Sequence, residues 1–101
     1  DDDDRHVVAA AIKCGASAIV TFNLNDFPAA SLAKHDLEAM DPDDFIVQQY
    51  HLSRAKVINS AKRHRRRLQN PRKSVDEFLT TLEQQGLPRS VAIFREYRDL
   101  I

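Results

Sequence analysis

One run in this chain, Ala18-Ile19-Val20-Thr21-Phe22, has the apolar, β-branched composition of a strand buried on both faces of a sheet. Only one other stretch, Leu37-Glu38-Ala39-Met40, alternates enough to pair with it, as a short edge strand. Two strands are marginal even with helices attached, and unpaired sheet edges recruit other chains. The chain is therefore expected to begin within a domain, with the missing strands supplied by sequence before residue 1 or by another chain. Self-association through exposed sheet surface, giving a homo-oligomer, follows from the same reasoning.

The residues around that strand predict a site. Asp4 is a good N-cap, and Asp1 to Asp3 suit the positive end of a helix dipole. From Arg5 onward Val7, Val8, Ala11, Ile12 and Cys14 form an apolar face, and Gly15 is placed to end the helix. A helix of about ten residues and the strand are each roughly 15–20 Å long, so folding one on the other brings their far ends together. Those ends carry Asp4 and Asp26, beyond the carboxyl end of the strand, where open α/β sheets place ligands. A hard cation takes oxygen ligands, often one or two carboxylates with water and phosphate. The alternative is that Asp4 only caps its helix and Asp26 only braces its loop.

The rest of the chain reads as helices. Pro28 opens a short one to about Lys34, and Asp41-Pro42-Asp43-Asp44 starts another running to about His51. Ser53 is placed to cap a helix to about Leu68, with Val57, Ala61, His64 and Leu68 on one stripe, and Asn70-Pro71 breaks it. Ser74-Val-Asp-Glu77 has capping-box spacing, and Val75, Phe78, Leu79 and Leu82 form an inner face closed by Gly86. Pro88 starts a last helix with Val91, Phe94, Tyr97 and Leu100 at helical spacing, a pattern that suits core or interface better than base stacking. The expected organisation is 1–40 as an α/β piece and 41–101 as a helical extension. Cys14 reads as a buried thiol, and His35, His51 and His64 have no zinc-like spacing with it. His6, beside Arg5, reads as a packed or capping residue. No apolar run approaches the roughly 18–20 residues of a membrane span. The acidic start has no apolar leader core, so a cytoplasmic location without membrane partners is expected.

The formal net charge is zero, but it is unevenly spread. Residues 1–45 carry ten acids against three bases, residues 46–73 nine bases and no acid, and residues 74–101 five acids against three bases. Lys62-Arg63-His64-Arg65-Arg66-Arg67 is the densest part, and Arg63, Arg66 and Arg67 are candidate contacts to RNA phosphates. The same run also suits a solvated helix face or contact with an acidic protein segment.

Taken together, Asp4-x-x-Val7-Val8-Ala9-Ala10-Ala11, Gly15 and Ile19-Val20-Thr21-Phe22-Asn23-x-x-Asp26-Phe27 resemble the C-terminal half of a PIN domain. The likeness is to VapC-type toxins of bacterial toxin–antitoxin pairs, in the branch reading DDRHV…TFNLxDFP with a helical C-terminal extension. It covers residues 1–40 well and the helical tail more loosely. It implies a metal-dependent endoribonuclease with Mg²⁺ or Mn²⁺ and a cognate antitoxin as partner. By position Asp4 and Asp26 match metal-binding acids, with Asp3 as the alternative to Asp4. Asn23 and Thr21 match polar residues that shape the site. The family's first two acids would precede residue 1, so this chain alone is expected to be inactive or weakly active, as a truncated piece of a longer protein. The expected fold class is α/β, the C-terminal part of a PIN-like parallel sheet followed by a helical tail. A non-catalytic interaction or nucleic-acid-binding module is the alternative.

Overall fold

The structure, a computed structural model, describes Gly15 and residues 17–101. The expected helix over Arg5–Cys14, with Asp4 and His6, lies outside the described residues. The chain divides into two compact units, Asp1–Pro42 and Asp43–Ile101.

In the first unit, β1 (Ala18–Val20) and β2 (Glu38–Met40) pair in parallel, with Ala18 opposite Glu38, Ile19 opposite Ala39 and Val20 opposite Met40. Parallel strands need a long crossover. Here it holds a 3₁₀ turn (Leu24–Asp26) and the short helix α1 (Ala29–Ala33). Backbone bonds from Glu38 N to Ser17 O and from Thr21 N to Met40 O extend the ladder by one link at each end. Asp36, in the left-handed conformation at φ 54°, closes α1, and Leu37 N reaches back to Leu32 O. Aspartate tolerates that conformation better than most residues.

Ile19, Phe27, Leu32 and Leu37 form this unit's core, with Ala39 against them. The expectation that Ala18–Phe22 is a strand buried on both faces is corrected. The regular strand is three residues long; Val20 is 43% exposed and Phe22 59%. Successive side chains point to opposite faces, and among the described residues the α1 side covers only the face that carries Ile19.

The second unit is helical: α2 (Pro42–Leu52), α3 (Arg54–Arg67), α4 (Val75–Gln84), α5 (Pro88–Glu96) and a 3₁₀ turn (Arg98–Leu100). Ile58, Ala61, Phe78, Leu79, Val91, Phe94 and Ile101 make one core. Val57, Leu68, Val75, Leu82 and Tyr97 pack around it, so the stripes read from α3 and α4 face inward. Three details depart from the sequence reading. Ser53 stands at the N-cap of α3 but its side chain makes no capping bond. The final helix ends at Glu96, and the 3₁₀ turn shifts the phase so that Ile101 is buried and Leu100 exposed. His64 is exposed, although its ring rests 5.6 Å from that of Phe78.

Two helix starts show contrasting ways of satisfying free N–H groups. At α4 the capping box forms: Glu77 N donates to Ser74 Oγ at 3.2 Å, and Ser74 N to Glu77 Oε1 at 3.0 Å. The Ser74 backbone bond is the main reason the Glu77 carboxyl titrates below its ordinary value. At α5 the N-cap is Leu87, whose side chain has no acceptor, and Pro88 follows. Asp43 of α2 does the work instead, accepting from Arg89 N at 2.9 Å and from Ser90 N at 2.7 Å. Ser90 Oγ also donates to Asp43 Oδ1 at 2.6 Å. Both residues are buried, Asp43 at 5% exposure and Ser90 at 0%. Burial alone would raise the Asp43 carboxyl, but its bonds from Ser90 and Arg89 outweigh that and leave it below its ordinary value. No described helix is long and apolar enough to cross a membrane.

Candidate functional site

The acidic turn of the first unit follows directly from β1. Asn23 N donates to Thr21 Oγ1 at 3.0 Å, folding the chain out of the strand. Asp26 N then bonds to Asn23 O at 3.1 Å, closing the 3₁₀ turn. Asn23 stands at the N-cap of that turn without using its side chain for capping. Both side chains are exposed, so one carboxylate and one amide stand beyond the carboxyl end of a parallel strand. Asp4, the second expected ligand, lies outside the described residues, as does Asp3. Among the described residues no group of three or more His, Cys, Asp or Glu side chains comes together as a metal cluster. The donor chemistry of Asp26 and Asn23, hard oxygen, is of the type Mg²⁺ and Mn²⁺ accept, usually as one or two carboxylates completed by water and phosphate.

In the second unit, the basic run separates into two roles. Arg65 turns inward: Nε and Nη2 donate to the main-chain oxygen of Ile101 at 2.9 and 2.7 Å, and Nη1 to Lys73 O at 3.2 Å. These bonds tie α3 to the segment before α4 and to the end of α5's following turn. Arg54, at the other end, is exposed, and Tyr97 is the main reason its guanidinium is held above its ordinary value. The two tyrosine hydroxyls lie 2.7 Å apart, and that bond is the main cause of the raised Tyr50 pKa. Phe94 belongs to the core and Tyr97 to this pair, not to an open stacking platform.

Arg63, Arg66 and Arg67 point outward, as do Lys56 and, half-buried, Lys62. Their spacings place them on one side of α3, opposite Ile58 and Ala61, over about 16 Å of helix at 1.5 Å per residue. Lys56, Asn59, Ser60, Lys62, Arg63 and Arg66 line a shallow trough of about 680 Å³. A second hollow of about 450 Å³, bounded by Ser60, Arg63, His64, Arg67 and Leu68, adjoins it. Lys62 with Arg66, and Arg63 with Arg67, are like charges four residues apart, each pair destabilising a helix by about 0.2–0.5 kcal/mol. The helix dipole favours cations in the last turn, which offsets part of this for Arg65, Arg66 and Arg67. It does not help Lys56 in the first part of the helix, where α3 has no acid. The ion pairs of the described helices, Arg89–Asp44, Arg95–Glu83 and Arg98–Asp76, all lie off α3.

The separation of Arg65 from its neighbours was available in the sequence. Arg65 is seven residues from Ile58 and four from Ala61, and so shares their buried stripe. Asp43 was not available in the same way, because its partners lie 46 and 47 residues away.

The helices of the second unit match a known family: the description VapC50 C-terminal domain fits residues 42–96, more than half of the chain. The chain belongs to this family, the C-terminal portion of VapC-type toxins. Among curated proteins it is 47% identical over 49 residues to the "Putative ribonuclease VapC50" of Mycobacterium tuberculosis (strain ATCC 25618 / H37Rv). That alignment covers 48% of this chain and 29% of the relative's length. No solved structure matches.

Proposed function

We propose that this chain is the C-terminal portion of a metal-dependent endoribonuclease toxin of a toxin–antitoxin pair, hydrolysing RNA phosphodiesters in the cytoplasm. The observation that carries the reading is family membership over residues 42–96, together with a relative named as a ribonuclease. The exposed Asn23–Asp26 turn at the carboxyl end of a parallel strand supports it. In this reading residues 1–40 are a piece of a PIN-like α/β domain and residues 41–101 its helical extension. Asp4 and Asp26 hold Mg²⁺ or Mn²⁺, and further acids of the longer protein complete the ligand set. A bound divalent ion there supplies positive charge to the phosphate and a water of lowered pKa. The Asp26 carboxylate contributes a fixed anionic oxygen, and the Asn23 amide orients a water or phosphate oxygen beside it. The cognate antitoxin neutralises the parent protein.

The decisive measurement is RNA cleavage by the longer parent protein with Mg²⁺ or Mn²⁺, comparing Asp26→Asn with the unaltered sequence. Loss of cleavage with unchanged circular dichroism is expected. Undiminished cleavage by Asp26→Asn would overturn the assignment of this turn.

A further inference from the structure

We propose that the outer face of α3 is a nucleic-acid backbone site of the helical unit, binding RNA phosphates without metal and without the acidic turn. It goes beyond the cleavage reading, because its cations all lie in the second unit and none depends on Asp26. Five cations, Lys56, Lys62, Arg63, Arg66 and Arg67, share one side of one helix, and no acid of α3 interrupts them. Arg65, which the same charge count would include, is excluded by its bonds to main-chain oxygens, and Arg54, four residues before the buried Ile58, falls on the inner side of the helix.

Two features favour nucleic acid over an acidic protein. Every side chain that lines the trough ends in a polar or charged group, with Asn59 and Ser60 set among the cations. Protein–protein interfaces are enriched in arginine but depleted of lysine and serine, both present here, whereas nucleic-acid interfaces are polar and strongly positive. Asparagine, serine, lysine and arginine are the side chains that commonly bond phosphate oxygens.

The test uses the whole 101-residue chain in EDTA, with fluorescently labelled oligouridine and a labelled RNA hairpin, over a salt series. Binding is expected in the absence of metal, and its logarithm should fall with the logarithm of salt. With all five cations engaged the slope is about −3.5 on a single strand and about −4.5 on a duplex. Each of Lys56→Gln, Arg63→Gln and Arg67→Gln should reduce that slope by about 0.7–0.9 and weaken binding about five- to tenfold at about 0.1 M salt. Arg95→Gln, which removes an equal charge paired with Glu83 on another helix, should leave affinity unchanged. RNA should displace labelled polyglutamate, and polyglutamate should fail to displace RNA. The proposal is overturned if binding needs metal, if Arg95→Gln costs as much as the α3 changes, or if polyglutamate displaces RNA. The last result would assign the face to an acidic protein partner.

Discussion

The two units of this chain differ in how completely they bury what their sequences offer. The helical unit buries Phe78, Leu79, Val91 and Phe94 in one core, with Phe78 and Phe94 also lining an apolar hollow of about 370 Å³ beside Phe45, Ile46 and Leu82. The strand unit buries one side chain of β1, Ile19, and exposes Val20, Phe22 and Leu24 along the same short stretch. Both sequences are apolar enough to fold. The difference lies in partners: helices satisfy their backbone within themselves and need only one covered stripe, whereas parallel strands pair with neighbours and are normally covered on both faces. An apolar run in a strand thus reports how much cover it is built for, and the excess over what it receives marks where another surface belongs.

The largest effect expected is in the closed core. Leu79 is 1% exposed at the centre of the α3–α4–α5 packing. Leu79→Ala removes buried methyl groups and leaves a cavity, and should cost about 2–5 kcal/mol in chemical denaturation. A cost under about 1 kcal/mol would mean that the helical core is loose and that the contrast between the units is overstated.

Next is the remote cap of α5. Asp43→Ala strips acceptors from two main-chain N–H groups and a hydroxyl, in a buried setting. It is expected to cost about 2–3 kcal/mol, the upper part of the range of hydrogen bonds to a charged partner. The carboxyl titrates lower in the folded than in the unfolded chain, so its contribution is fully present above the ordinary value of 3.8. It disappears as pH falls through the lower folded value. Comparing denaturation curves of Asp43→Asn and the unaltered protein over acidic pH checks this: the gap between them should narrow only in strong acid. A gap that closes near neutral pH would show that the carboxylate is not held as described.

Ser74→Ala should cost less, about 1 kcal/mol, because its capping bond is exposed and local. A thermal melt that leaves the midpoint unmoved would remove the capping box from the account of α4.

That ordering also shows what a sequence makes legible. The Ser74–Glu77 box spans three residues, so its geometry is fixed by the helix itself and can be read from spacing. The starts at Pro42 and Pro88 and the left-handed Gly86 after α4 are equally local. Asp43 looks like an ordinary first-turn acid until α5 is brought beside it, and the only hint is that Leu87 cannot cap the helix it precedes. Leu100 fails for a related reason, since a periodic pattern cannot show where a 3₁₀ turn resets its phase. Of the candidate site, Asn23 and Asp26 are legible as one polar turn after a strand. Asp4, the acid expected to join them, lies outside the described residues.

The smallest change in stability sharpens the comparison most. Phe22 is 59% exposed on the strand unit, beside Val20 and Leu24, so Phe22→Ser removes little buried area and should shift the unfolding midpoint hardly at all. Its effect should appear in association. Exposed apolar side chains beside strand edges that are unpaired among the described residues are the kind of face that recruits a second chain. Light scattering on the unaltered chain should then show a mass that rises with concentration, and Phe22→Ser should hold it at the monomer. If the unaltered chain is already a clean monomer at high concentration, the exposed stretch is tolerated as ordinary surface. The strand would then not be built for more cover than it receives.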